Sequence, residues 1–395
     1  MKDKKNNGFG LLSVIIIIII TAIVSALATG IIVTSNSDGI NITNYDLKDD
    51  KNLQEFIDLY KTILSKYYDD IDKEGMIKAA EEGMLNFLGD KYTTILSDSD
   101  YSSMMDGLKD EYEGIGITIE GNIIRDVTAN SPAEKAGLLI NDEIVTINNT
   151  NVQNLTSSEI SNLIKNNNVD TVSLVIRRNG ELINYTIKKS NLAYPYAEGE
   201  IIDNTTIGYL KISAFSEKLA DQVEKEVTKL ENNNINGLII DLRNNGGGYL
   251  SAANETASIF LKKGLTIYSL TTNSNTTTIK DETDEYKEYR LVVLVNKQTA
   301  SAAEILAAAL KQSYGATLVG TQTYGKGKVQ QISSLKSGET VKYTTAKWLT
   351  PSGVCIDGVG LNVDYNLDLV YNYNENNEII GYEDTQLNKA IELLS

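Results

Sequence analysis

Two short segments of this 395-residue chain carry residue types that could do covalent chemistry together. The first is Thr299-Ala300-Ser301-Ala302-Ala303-Glu304, between an apolar run, Leu291 to Val295, and an alanine-rich helical stretch, Ser301 to Gln312. A serine opening such a helix lies at the positive end of its dipole, which favours a developing alkoxide or oxyanion. The same spacing, Ser301-x-x-Glu304, is also a capping box, the ordinary reason for a serine there. The second segment runs Gly320-Thr-Gln-Thr-Tyr-Gly325-Lys326-Gly327-Lys328-Val329-Gln330. A lysine becomes a general base once burial lowers its pKa from about 10.4 toward roughly 7–8. Glycines on both sides of Lys326 leave its amine room to approach another side chain, although an isolated Gly-Lys-Gly is more simply a solvated turn. The segment also nearly spells a phosphate loop. Gly327, however, replaces the hydroxyl residue that holds magnesium, and Val329 to Ile332 reads as a strand where a helix should open.

A third feature, Gly246-Gly247-Gly248, follows a buried-looking strand, Leu238 to Leu242. Backbone N–H groups of such a turn can face an anion without side-chain interference. The following Tyr249-Leu250-Ser251 does not fit a dinucleotide fingerprint, and a turn with no ligand is the common alternative.

Composition narrows the chemistry. The chain has no histidine. That excludes a Ser-His-Asp triad, a Cys-His dyad and an HExxH zinc site. The single cysteine, Cys355, excludes an intramolecular disulfide and reads as a small buried apolar residue. A net charge of −17 argues against a nucleic-acid partner, because phosphate binding needs a basic surface.

The elements that must position these residues follow an N-terminal apolar segment. Residues 1–8 are basic, and Phe9 to Val33 is almost wholly apolar. About 20 apolar residues span a bilayer, so a transmembrane anchor over 9–33 is the expectation. Flanking lysines predict a cytoplasmic N-terminus and an extracytoplasmic remainder. A cleaved signal peptide, with Ala26-Leu27-Ala28 as the cut site, is the rival. Residues 34–50 are Asn/Asp-rich and suit a linker. Helical spacing over Leu53 to Tyr67 and Lys73 to Leu88 predicts two helices within an N-terminal region, residues 51–112.

Residues 113–190 change to short strands and turns. Ser131-Pro132 to Gly137 has the ends of a short helix, Ser157 to Lys165 is a second, and Asn179-Gly180 is a hairpin turn. This succession resembles a PDZ domain of the bacterial protease type. The resemblance implies that Gly114, Ile115, Gly116 and Ile117 receive a peptide's terminal carboxylate, the peptide adding as an edge strand. Lys165-Asn-Asn-Asn168 replaces the glycine-rich arginine loop common at that place in relatives.

From residue 191 onward strands alternate with helices, which implies an α/β core of mixed sheet layered with helices. The polar stretch Thr271 to Tyr289 reads as a surface loop or flap. Taken together, the three segments resemble the C-terminal processing (tail-specific) protease family of serine peptidases. The likeness runs from about Leu53 to the closing helix, Thr385 to Leu394. It implies a crotonase/Clp-protease-like core over 191–395 with an inserted PDZ domain. By the same resemblance Ser301 is the nucleophile, Lys326 the general base and Gln330 the residue that orients the lysine. The N–H groups of Gly247 and Ala302 would form the oxyanion hole. Gly246 stands where that family commonly has a proline, in keeping with only three prolines in the chain.

The expected activity is therefore endoproteolysis of protein tails with free C-termini, with no metal or organic cofactor. A homodimer built from the two N-terminal helices and the final helix is expected by the same analogy. A catalytically inert, membrane-tethered PDZ adaptor is the competing reading.

Overall fold

The computed structural model describes residues 50–165, 170–335, 337–373 and 379–395. The apolar segment 9–33 and Asn166 to Asn168 lie outside them. Among the described residues no helix is long and apolar enough to cross a membrane.

Two helices come first, α1 (Lys51–Lys66) and α2 (Lys73–Phe87), each started by an aspartate whose carboxylate accepts a first-turn N–H. Neither buries a single residue, and Phe56, Leu59, Met84 and Phe87 are exposed. β1 (Thr94–Leu96) and α3 (Asp98–Asp106) lead to β2 (Glu111–Gly114). The next module contains β3 (Ile117–Glu120), β4 (Ile123–Val127), α4 (Pro132–Ala136), β5 (Glu143–Ile147), β6 (Thr150–Asn151), α5 (Ser157–Lys165), β7 (Thr171–Arg178) and β8 (Glu181–Lys188). Its sheet order is β3-β4-β5-β7-β8, with β6 on β5, so β3 is an edge. Asn179 and Gly180 both have positive φ, the requirement of the tight turn between β7 and β8. A separate core of Ile115, Ile124, Ile144, Ile160, Leu174 and their neighbours holds the module together.

β9 (Ser190–Ala193) pairs antiparallel with β2, so the chain enters and leaves this module through one two-stranded ribbon. The main core then comprises β10 (Ala197–Ile201), β11 (Ile207–Ile212), α6 (Leu219–Glu231), β12 (Gly237–Asp241), α7 (Leu250–Ser258), β13 (Thr266–Thr271), β14 (Thr276–Lys280), β15 (Arg290–Val295) and α8 (Ala302–Ala309). A π-helical turn follows at Leu310–Tyr314, then β16 (Thr317–Gly320), β17 (Lys328–Ser334), β18 (Thr340–Leu349) and β19 (Tyr365–Asn366). β20 (Val370–Tyr373), β21 (Ile379–Glu383) and α9 (Thr385–Leu394) complete the described chain.

One sheet, β10-β11-β12-β15-β16-β19, is parallel from β11 onward. Strands β12 and β15 are apolar at nearly every position because helices cover both faces, α6, α7 and α8 on one and α9 on the other. A second sheet, β1-β18-β13-β14 with β17 on β18, packs beside it. Four expectations change. The Thr271 to Tyr289 stretch is no bare loop, because Thr276 to Lys280 pairs with β13 through matched hydroxyls, Ser269 with Thr278 and Thr271 with Thr276. The helix begun at Ser301 leaves α geometry at Leu310. Cys355 is exposed, since its neighbour Ile356 takes the inward position. α9 spends its apolar face on the core, burying Ala390 and Leu394.

Candidate active site

The site forms where two parallel strands end side by side. β15 runs out at Val295, and the loop Asn296 to Ala300 delivers Ser301 to the start of α8. Thr299, fully buried, donates its hydroxyl to Leu242 O at 2.8 Å, and its own carbonyl accepts Tyr324 N at 3.0 Å. The loop is thereby tied to the end of β12 and to the lysine segment. Ser301 itself has φ 59° and ψ −120°, a conformation rare for a side-chain-bearing residue and worth about 1–3 kcal/mol of strain. Such a strand-to-helix corner thrusts the serine side chain out of the backbone's path.

What holds this corner is Glu304. α8 is buried at every position, so its carboxylate has no access to water. One oxygen accepts Ser301 N at 2.9 Å and Lys326 N at 2.9 Å; the other accepts Thr323 Oγ1 at 2.6 Å and Gly325 N at 2.8 Å. The capping residue of the sequence pattern is therefore also the clamp that fastens the lysine loop to the serine. That second role was missed in the sequence. The signal was available: a lone carboxylate in Ala-Ala-Glu-Ile-Leu-Ala-Ala-Ala cannot be solvated if the helix is buried all round.

The glycines flanking Lys326 are demanded by packing. A Cβ at Gly325 would sit 2.7 Å from Gly360 N, and one at Gly327 would sit 2.6 Å from Asp357 N. Lys326 O accepts the Trp348 indole N–H at 2.8 Å, which fixes the backbone beneath the side chain. Burial, with the nearby positive charge of Lys342, lowers the Lys326 pKa from the ordinary lysine value, and Glu304 opposes that shift. The direction suits a base that must be neutral to act.

Not every expected contact is made. No hydrogen bond joins Ser301 to Lys326; the Lys326 amine lies 5.5 Å from the centre of the Tyr92 ring. Gln330 does not reach the lysine, and its amide donates instead to Thr344 Oγ1 at 3.3 Å. Gly247 is packed directly against Ser301, since a Cβ there would lie 2.8 Å from Ser301 Cβ and 3.0 Å from Ala302 N. Its N–H, however, donates to Asn245 Oδ1 at 2.8 Å. Buried Asn245 also donates to Ile212 O and accepts Ala300 N, so it locks the glycine turn to the serine loop.

In the smaller module, the carbonyls of Ile115 and Gly116 bond inward to Ala133 N and Thr128 N. Gly116 has φ 84°, and a Cβ there would lie 2.3 Å from Ser131 Cβ, so no larger residue fits. Ile117, on the edge strand β3, and Leu163, on α5, are partly buried against the module's core.

The α/β core thus carries a small inserted module, a serine on a strained corner and a partly buried lysine alongside; by the following likenesses it is a serine-type endopeptidase. A model of peptidase family S41 matches residues 206–367, and a PDZ domain model matches residues 123–178. The carboxy-terminal processing protease CtpA of Bacillus subtilis is 33% identical over 364 residues, covering 91% of this chain and 78% of its own. A probable CtpA-like serine protease of Staphylococcus aureus (strain COL) is 30% identical over 358 residues, 89% of this chain and 71% of its own. Among solved structures, the photosystem II D1 C-terminal processing protease aligns with 80% of this chain and 88% of its own at 26% identity, with a TM-score of 0.49. The chain belongs to the S41 family of C-terminal processing serine proteases.

Proposed function

We propose that this chain is a membrane-anchored endopeptidase that draws the C-terminal tail of a protein substrate into its PDZ groove and cuts it by a Ser-Lys mechanism. The observation that carries the reading is the single Glu304 carboxylate bound to both Ser301 N and Lys326 N. It couples nucleophile and base through one rigid group. Neutral Lys326 takes the Ser301 hydroxyl proton as Ser301 Oγ attacks the scissile carbonyl. The oxyanion is met by the N–H groups of Ala302 and of Gly247, the latter exchanging its Asn245 acceptor for the substrate. Collapse of the intermediate expels the amine with the proton from Lys326, and water then hydrolyses the acyl-enzyme. Gln330 orients the lysine after turning from Thr344.

The open spacing of Lys326 and Ser301 is read as the resting state rather than as an inert copy. The test is cleavage of peptides with free apolar C-termini by the full chain in detergent micelles. The unaltered protein cleaves, C-terminal amidation weakens the reaction, and Ser301→Ala abolishes it. Cleavage surviving Ser301→Ala would remove the nucleophile. Activity rises with pH as Lys326 deprotonates, with a midpoint below the ordinary lysine value.

The apolar, lysine-flanked segment 9–33 supports anchoring with the catalytic part outside the cytoplasm. Release of the protein from membranes by alkaline carbonate would refute it. The unburied apolar faces of α1 and α2 support self-association into a homodimer, checked by light scattering on the micellar protein.

A further inference from the structure

The segment between α2 and β1, far from Ser301 and Lys326 in sequence, meets Lys326 directly and Gln330 through Thr344. Lys326 Nζ makes no hydrogen bond or ion pair among the described residues; its neighbour is the face of Tyr92, 5.5 Å from the ring centre. Lys328 Nζ lies 5.8 Å from the same ring and Lys91 Nζ 4.9 Å. Two residues back, the mostly buried Asp90 carboxylate accepts Lys328 Nζ at 3.0 Å and Thr93 Oγ1 at 2.7 Å. Thr93 Oγ1 in turn accepts Thr344 N at 3.1 Å. The Thr344 hydroxyl faces Asp90 and accepts the Gln330 amide. One short stretch thus holds the lysine by a ring and the glutamine through a threonine.

We propose that Tyr92 is a positioning residue for Lys326: its ring face seats the ammonium in the resting enzyme, while Asp90 and Thr93, acting through Thr344, keep Gln330 turned away from it. This rests on the reading of Ser301 and Lys326 as nucleophile and base. A ring face attracts a cation and has no such attraction for a neutral amine. Tyr92 therefore favours the protonated, idle lysine, and release from the ring and loss of the proton go together. The other charged groups around Lys326 are Lys342 on β18, Glu304 on α8, and Lys328, itself paired with Asp90. Lys91 lies over both the Tyr92 and Tyr324 rings and donates to the Tyr324 hydroxyl at 3.4 Å.

The pH profile of kcat/KM, which reports the free enzyme, reads this directly. It is measured on the full chain in micelles with Tyr92→Phe, Tyr92→Leu and Tyr92→Trp. Phe keeps the ring face and leaves the alkaline midpoint where it is. Leu keeps the apolar bulk without the ring and moves the midpoint down by about half a pH unit or more. Trp, the stronger cation acceptor, moves it up, and serves as the deciding variant if Tyr92→Leu fails to fold. Coincident midpoints, or Phe shifting as far as Leu, overturn the proposal. So does a Leu variant that is slower at every pH with its midpoint unchanged, which marks a merely structural tyrosine. Retained cleavage by Ser301→Ala or Lys326→Ala instead overturns the dyad beneath it, whatever the Tyr92 variants do.

Discussion

At the scale of residues, the site depends on a carboxylate that never meets solvent. Glu304 accepts hydrogen bonds from three backbone N–H groups and one hydroxyl, and burying that charge is tolerable only because all of them point at it. Glu304→Gln has nearly the same shape but presents an NH₂ group to N–H donors. It should cost about 2–4 kcal/mol of stability in urea unfolding. The proteins that remain folded should cleave more slowly by about 100-fold, because an ångström of misplacement between nucleophile and base is worth that much. A variant with wild-type kcat would show that the clamp does not set the geometry. The absence of histidine and the local contexts suggested Ser301, Lys326 and Gln330 as a set; the structure joins the first two through Glu304 and leaves Gln330 on Thr344. The use of Gly247 N–H by Asn245 was not legible, since a side chain folding back two residues leaves no pattern in the sequence.

At the scale of elements, the periodic segments were easy to read and the polar ones were not. β12, β15 and α8 announce themselves by unbroken apolar runs, whereas β14 is mostly threonine and is recognised only once β13 lies beside it. The contribution of residues 90–93 was invisible for a related reason: it crosses from the N-terminal region to the β17–β18 hairpin, more than 200 residues away. Burial works against the Asp90 charge, but hydrogen bonds from Thr344, Thr93 and Lys328 outweigh it and hold the carboxyl well below the usual carboxylate range. A depressed folded-state pKa stabilises the fold above the unfolded value, near 3.9, and that stability is lost as pH falls toward the folded one. Asp90→Asn should therefore lose about 1–3 kcal/mol at neutral pH, with the gap to wild type narrowing below about pH 4. A gap independent of pH, measured by denaturant unfolding, would show that the charge is irrelevant.

At the scale of the whole molecule, the PDZ domain and the core have separate hydrophobic interiors joined by β2 and β9. Around that ribbon Tyr112 packs on Tyr194 and Tyr194 on Tyr196, with ring centres 4.6 and 5.8 Å apart. Lys165, at the end of α5, lies over Tyr112 and Tyr194 at 5.7 and 5.8 Å. These contacts bridge the ribbon and the end of α5, together with the Lys218–Glu111 ion pair. Tyr194→Ala should loosen the PDZ groove and raise KM for tail-bearing peptides while leaving thermal unfolding of the core nearly unchanged. An unaltered KM would mean that the groove is held elsewhere. The order of modules was readable from the change in texture along the chain. The aromatic contacts around the ribbon were not, because three tyrosines and a lysine there have no shared spacing.

The ribbon has one further consequence. Gly114 and Ser190 are opposite partners in the same ladder, so the two cut points of the inserted domain are already adjacent in space. Replacing everything between them by a two-residue Asn-Gly turn would close β2 and β9 as a simple hairpin. The chain can thus be regarded as a socket with an exchangeable head: another domain spliced at the same pair of residues would meet the core through the same ladder.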